Sequence, residues 1–321
     1  MRVEQGPVSA RPGTGSEPSV FGLLGAGLVS ALMFGALGFA APLALPLAIQ
    51  RLRGGALSAW LAATLAAALV AAVGGPVVAL QFLVLALPGL LLGEALARGR
   101  GLKRGCGWAF FTLASFVGAG LAAAPAAMAE GLLAPIERLR SDAVLQELGK
   151  GGMPPERLAE FKEQVGELEA AIAVVYPAFW VIAAGLLVAA NAALLRLYLL
   201  RRDPGWLEDG EFERVRFPLP LVMAFVVSGA AVALPLARPV AYNVLLVVAF
   251  FFALQGLAVI AFYARRLAAP PLLRAFALVL VLANPWAPQI LALLGLFDNW
   301  FDFRRFAEPP SGQRTPSGPE A

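Results

Sequence analysis

Histidine is absent from the 321 residues, and cysteine occurs once, as Cys106. Without histidine there are no His-based triads, no His-metal sites and no side chain that ordinarily titrates near neutral pH. A single cysteine excludes an internal disulfide. Charge is scarce as well: 14% of residues are Asp, Glu, Lys or Arg, against about a quarter in an ordinary soluble domain. Carboxylate or lysine chemistry stays open in principle, but the apolar stretches carry few such groups, and no Ser or Cys nucleophile has an evident base partner. Gly22-Leu23-Leu24-Gly25-Ala26-Gly27 looks superficially like a nucleotide loop. It lies in an apolar run, with no preceding strand and no Gly-Lys-Ser/Thr ending, so that reading is rejected. The expectation is a non-enzyme with no catalytic residue, no metal site and no cofactor.

What the chain does have is hydrophobicity: 60% of its residues are hydrophobic, gathered into uncharged runs separated by short basic clusters. About 20 apolar residues in a helix cross a hydrocarbon core roughly 30 Å thick. These runs are too long and too numerous for the core of a soluble fold. The formal net charge of +4 reads, in such a chain, as loops obeying the positive-inside rule rather than as a nucleic-acid surface, because no basic stretch is interleaved with aromatics. The 22 Arg against 3 Lys, with abundant Ala, look like a GC-rich bacterial genome. The lipid bilayer is the first expected partner, in a bacterial cytoplasmic membrane crossed several times.

The polar ends, residues 1–19 and 307–321, are Pro-, Gly- and Ser-rich and are expected to be disordered tails. The first apolar run is too long for a signal-peptide core and lacks a convincing cleavage site, so it reads as a retained helix. Residues 20–129 form a first set of membrane helices: Val20–Gln50, broken by Pro42 and Pro46, then Ala56–Gly74, Pro76–Ala97 and Trp108–Ala129. Val20–Gln50 reads either as one long kinked helix or as a full helix followed by a short returning piece. Residues 170–306 form a second set: Ala170–Leu200, Leu219–Leu236, Val240–Tyr263 and Leu272–Phe297. The last is interrupted at Asn284-Pro285-Trp286-Ala287-Pro288 and leads into an interfacial charged-aromatic end. If both Pro-broken runs are single crossings there are eight spans; if both enter and return there are six. Charge favours six and run length favours eight, and eight is the adopted reading.

Residues 130–169 are the one sizeable polar segment, with nine acidic and five basic residues, which suits the extracytoplasmic side. Pro135–Leu148 is amphipathic. Further on, Leu158, Phe161, Val165, Leu168 and Ile172 recur at spacings of 3 and 4, a seam on one helix face. A helical hairpin outside the membrane follows. Its seam serves either to pack the hairpin on itself or to bind a partner. The fold class is therefore all-α: a polytopic bundle of about eight spans, two of them Pro-broken, with one extracytoplasmic amphipathic hairpin.

Six local patterns stand out: Pro88-Gly89-Leu90-Leu91-Leu92-Gly93; Tyr176-Pro177, opening a helix that ends in Arg201-Arg202; Arg216-Phe217-Pro218-Leu219-Pro220; Phe251-Phe252-Ala253-Leu254-Gln255-Gly256-Leu257-Ala258-Val259; Leu294-Gly295-Leu296-Phe297-Asp298; and Phe301-Asp302-Phe303-Arg304-Arg305. Together they resemble the YybS-like bacterial membrane proteins, a family of unknown function, over about Val20–Phe306. The last two patterns are the most specific. That family is similar, remotely, to the substrate-binding components of energy-coupling-factor vitamin transporters. The resemblance implies a compact helical bundle that binds a small molecule and docks on a partner through small residues of its first helix.

Polar residues inside apolar runs are few, and lipid cannot satisfy an amide, so each should face protein, water or ligand. Gln81, Asn191, Gln255 and Asn284 are the candidate substrate-binding residues. Gln255 lies mid-helix in one of the family-like patterns, and its alternative role is an interhelical hydrogen bond. Asn284 has the alternative of capping carbonyls freed by the prolines. Ala59, Ala63, Ala67 and Ala71 recur every fourth residue, as does Gly75. Their spacing suits docking of another membrane subunit or close packing within the protein. Leu158, Phe161, Val165 and Leu168 are the other candidate partner-binding residues. Glu94 is expected to pair with Arg98. The leading function is a component that binds or transports a small hydrophobic or vitamin-like ligand, working with a partner. The alternative is a non-transporting scaffold for envelope or division machinery. Nucleic acid is not an expected partner.

Overall fold

The computed structural model describes residues 20–37, 44–207, 212–268, 270, 284 and 286–304. Both expected tails, and most of the Leu272–Phe297 run before its proline break, lie outside the described residues. Every regular element described is helical, and four helices are long and apolar enough to cross a membrane. The chain divides into two compact units, residues 1–211 and 212–321.

The first unit opens with α1 (Val20–Leu37), followed by α2 (Leu45–Ala97), which is helical throughout except at two glycines. Gly55 and Gly75 both adopt positive φ, 83° and 84°, with ψ near 180°. That backbone is open to glycine and strained for other residues, so it divides α2 into three segments. A straight helix would hold Arg51 and Glu94 about 65 Å apart. Their side chains instead form an ion pair, so the chain reverses at the glycine breaks. Of the first apolar run, Val20–Leu37 and the piece from Leu45 are helical, while residues 38–43 with the Pro42 break, on which its two alternatives turn, lie outside the described residues. Segment Leu45–Gly54 is too short to cross and lies along the third segment. A methyl group at Gly89 would run into the carbonyl of Ala44, and one at Gly93 would come within 2.9 Å of the Ala48 carbonyl oxygen.

Helix α3 spans Gly101–Ala123 and begins earlier than the expected Trp108, because Gly99 and Gly101 take positive φ and complete the reversal within three residues. Lys103 and Arg104 therefore sit in the first turn of a membrane helix rather than in a loop. The polar segment is built from α4 (Pro125–Leu139), α5 (Asp142–Lys150) and the start of α6 (Pro155–Arg202). The amphipathic stretch expected over Pro135–Leu148 is broken at Ser141, whose extended backbone precedes Asp142 in the next first turn. Tyr176-Pro177 lies inside α6 instead of opening it. Pro155 takes the first helical position, where a missing N–H costs nothing, and α6 then continues unbroken for 48 residues. At 1.5 Å per residue that is about 72 Å, more than twice a hydrocarbon core, so the seam and the apolar half share one rod.

The second unit contains α7 (Leu219–Ala231), α8 (Arg238–Arg266) and α9 (Ala287–Phe301), preceded by a 3₁₀ turn at Phe212–Arg214. Its apolar core joins Val222, Val248, Phe252 and Leu296.

Because α3 alone is about 34 Å long, the α5 arm and the Arg98–Arg104 turn should lie on opposite sides of the bilayer. In a Cys106→Ser background, a membrane-impermeant maleimide is expected to label Gln146→Cys and Arg100→Cys from opposite faces of oriented vesicles. Labelling of both from one face would refute the crossing.

Candidate functional site: a buried carboxylate–guanidinium clamp

In the second unit, α8 and α9 approach backbone to backbone. A methyl group at Gly256 would collide with the carbonyl of Leu291, and one at Gly295 with the carbonyl of Phe252. Both positions belong to the family-like patterns, and the reason they are glycine is this crossing. The close approach brings the α8 amide Gln255 against the α9 carboxylate Asp298, both fully buried.

Gln255 uses both ends of its amide. Its Oε1 accepts from the backbone N–H of Phe217 at 2.9 Å, and its Nε2 donates to Asp298 Oδ2 at 3.1 Å. Arg304 donates to the same carboxylate oxygen at 3.1 Å, to the carbonyl of Val215 at 2.8 Å and to that of Glu213 at 2.5 Å. Arg216 lies 3.7 Å from Asp298 and forms a second ion pair with Asp302. Tyr263 donates from its hydroxyl to the carbonyl of Phe303 at 2.5 Å, and Arg265 stands 3.9 Å from Glu213. The clamp thus ties the segment before α7, the middle and end of α8, and the end of α9 into one knot. Asp302 ends α9 in the left-handed region, φ 44°, which turns Arg304 back towards the helix it follows.

Electrostatics act in opposite directions on the two guanidiniums. The hydrogen bond to Asp302 holds Arg216 above the ordinary arginine range, with the neighbouring carboxylate charges adding to it. Burial pushes Arg304 below that range, against the opposing pull of Asp298 and Asp302. Among the described residues, Asp298 Oδ1 and Arg304 Nε have no hydrogen-bond partner. No described cluster of three or more His, Cys, Asp or Glu side chains is placed to hold a metal.

The candidate ligand residues are divided between the two units. Gln81 and Asn191 belong to the first unit, and Gln255 and Asn284 to the second. Gln81 is exposed on its helix. Asn191 is buried on the α6 face that packs against α2 and α3; its Nδ2 donates to the Leu187 carbonyl at 2.9 Å, and its Oδ1 has no donor among the described residues. Asn284 is exposed, and its Oδ1 accepts from the backbone N–H of Trp286, so the backbone group it meets is an N–H and not a freed carbonyl. Ala59, Ala63 and Ala67 are buried and Ala71 partly so, in a cluster completed by Phe82 and Ala86 of the third α2 segment and by α1, where Gly27 meets the Ala62 carbonyl. On the arm, Val165 is buried, Leu158 and Phe161 are half-buried and Leu168 is exposed; Leu158 faces Gly149 of α5. Glu94 pairs with Arg98, as expected from their spacing, and also with Arg51. Sequence reasoning singled out Gln255 and the charged end separately and missed their connection, which spans 43 residues. The signal available was the recurrence of at least one charged or amide residue in each of the four C-terminal patterns.

Fold and clamp together define an all-α polytopic membrane protein whose C-terminal unit is closed around the buried Asp298–Arg304 ion pair. The chain belongs to the family described as Predicted membrane protein (DUF2232), whose match covers residues 20–299 and so ends just short of Asp302 and Arg304. No curated protein and no solved structure matches it.

Two predictions test the clamp. Asp298→Ala leaves Arg304 buried without its counter-ion and should destabilise the protein by about 3–5 kcal/mol. Gln255→Leu strands the Phe217 N–H and should cost about 1–3 kcal/mol. Unfolding midpoints in detergent read both, and a loss from Gln255→Leu as large as that from Asp298→Ala would contradict the ranking. Gly295→Ala is expected to lower the midpoint by forcing α8 and α9 apart. Gly229→Ala, where nothing lies within 4 Å, should leave it unchanged or raise it slightly.

Proposed function

We propose that the protein is a non-enzymatic component of a bacterial cytoplasmic membrane that binds a small hydrophobic or vitamin-like molecule and works with a partner subunit. The observation that carries this reading is the buried carbonyl oxygen of Asn191. An amide acceptor buried without a donor costs about 1–3 kcal/mol, and it lies on an α6 face enclosed by α2 and α3. A ligand hydroxyl or N–H meets that oxygen, while the surrounding Ala184, Val188 and Ala192 supply apolar contact.

A second reading, a scaffold for envelope machinery acting through the arm, is favoured by one specific feature. Helices α4 and α5 contribute no buried residue, so the arm presents far more surface than it uses internally.

Thermal-shift screening of vitamins and metabolites against the detergent-purified protein tests the first reading. A stabilising ligand whose effect vanishes in Asn191→Leu, and persists when residues 130–169 are replaced by a short linker, supports it. An Asn191→Leu protein that is more stable than wild type, with no stabilising compound found for either, overturns it. Loss of co-purifying proteins on arm replacement would then favour the scaffold.

A further inference from the structure

One end of the first unit gathers cations from three stretches distant in sequence, around Arg53, Arg98–Arg104 and Arg201. The short α2 segment contributes Arg53, the turn after α2 contributes Arg98 and Arg100, the first turn of α3 contributes Lys103 and Arg104, and the end of α6 contributes Arg201. All six are exposed. The ion pairs of Glu94 with Arg51 and Arg98, and of Asp203 with Arg53 at 3.4 Å, show that these stretches form one continuous rim. Glu94 and Asp203 are the only carboxylates among the described residues of those stretches. Even with the three acidic side chains that follow within residues 208–211, the rim keeps an excess of positive charge.

Two guanidiniums on this rim are oriented by aromatic rings. Arg100 lies 4.9 Å from the centre of the Trp108 ring and Arg53 lies 5.7 Å from that of Tyr198. Such stacking orients the cation through its face, and Arg100 remains exposed at the rim. Directly beyond the rim on α3 comes apolar surface with nothing of this unit over it: Phe111 is 72% exposed, seven residues or about 10 Å from Arg104. A positively charged edge joined to an uncovered apolar face is complementary to a molecule with an anionic head and a hydrocarbon tail.

We propose that this rim is a binding site for anionic phospholipids, with the headgroup phosphate held by Arg100, Lys103 and Arg104 and the acyl chains lying along α3 past Phe111. Zwitterionic lipids carry a compensating ammonium and fit the rim less well. Each cation near an anionic lipid surface contributes on the order of a several-fold gain in affinity. Removing two of them should weaken retention roughly tenfold or more.

The test uses the full chain reconstituted in nanodiscs of phosphatidylcholine containing graded phosphatidylglycerol, then released into mild detergent for native mass spectrometry of retained lipid. Wild type should retain phosphatidylglycerol in preference to phosphatidylcholine. The double variant Arg100→Gln/Arg104→Gln should lose that preference and keep its unfolding midpoint in pure phosphatidylcholine. Arg138→Gln/Arg157→Gln, on the polar arm, should behave as wild type. Equal retention of the two lipids by wild type, or undiminished preference in the rim variant, overturns the proposal. So does stabilisation of lipid-free protein by inorganic phosphate equal to that by phosphatidylglycerol, which would make the rim a site for the free ion. If the rim variant has a lowered midpoint, the single variant Arg104→Gln takes its place, and unchanged preference there counts against the lipid site.

Discussion

A hydrocarbon interior offers no hydrogen bonds, and that scarcity organises every feature described. Backbone groups satisfy themselves in helices, since lipid leaves them no other partner. Side-chain amides and charges then have to find one another, because each unpaired group costs several times what a paired one gains. In the C-terminal unit the outcome is the clamp. Asp298 is fully buried and is tolerable only because Gln255 and Arg304 donate to it and Arg216 stands close by. Gln255 in turn holds the Phe217 N–H before α7, and Arg304 holds the carbonyls of Glu213 and Val215 just upstream. The glycines at 256 and 295 are part of the same arrangement, since without their close approach the amide would not reach the carboxylate.

The N-terminal unit solves a different problem. Its polar groups are moved to the ends of the helices rather than paired inside them. The acidic and mixed-charge residues collect on the α4–α5 arm and the outer half of α6, and the arginines collect at the far end of the same 48-residue helix. In the apolar half of α6, Asn191 keeps a buried carbonyl oxygen with no donor among the described residues, and the functional proposal rests on it. The alanine stripe is covered by α1 and by the third segment of α2, which gives those small side chains an internal use in close helix packing.

Much of the architecture was legible because it depends on local quantities. Apolar run length, the basic clusters and the 3-and-4 spacing of Leu158 to Leu168 indicated membrane helices and a polar hairpin, and α3, α6 and α8 carry those runs. Boundaries were harder where glycine conformation decided them. Nothing in the residue types announced that Gly99 and Gly101 would start α3 seven residues early, or that α6 would run unbroken through Pro177. The candidate site was half visible. Gln255 is legible as an amide that lipid cannot satisfy and the end of α9 as an interfacial charged-aromatic stretch, but their junction is not.

By itself, then, the sequence determined the solvent: long uncharged runs can be accommodated only in lipid, and no histidine or disulfide chemistry is available to the chain. It also determined the helical class, because lipid leaves the backbone no alternative but internal hydrogen bonding. Only the tertiary structure decided which polar group meets which. Whether an amide such as Gln255 faces a ligand, lipid or a carboxylate 43 residues away depends on helix rotation and crossing. Those are set by backbone contacts such as Gly256 on Leu291 and Gly295 on Phe252, which depend on side-chain volume at a distance and leave no periodic trace in the chain.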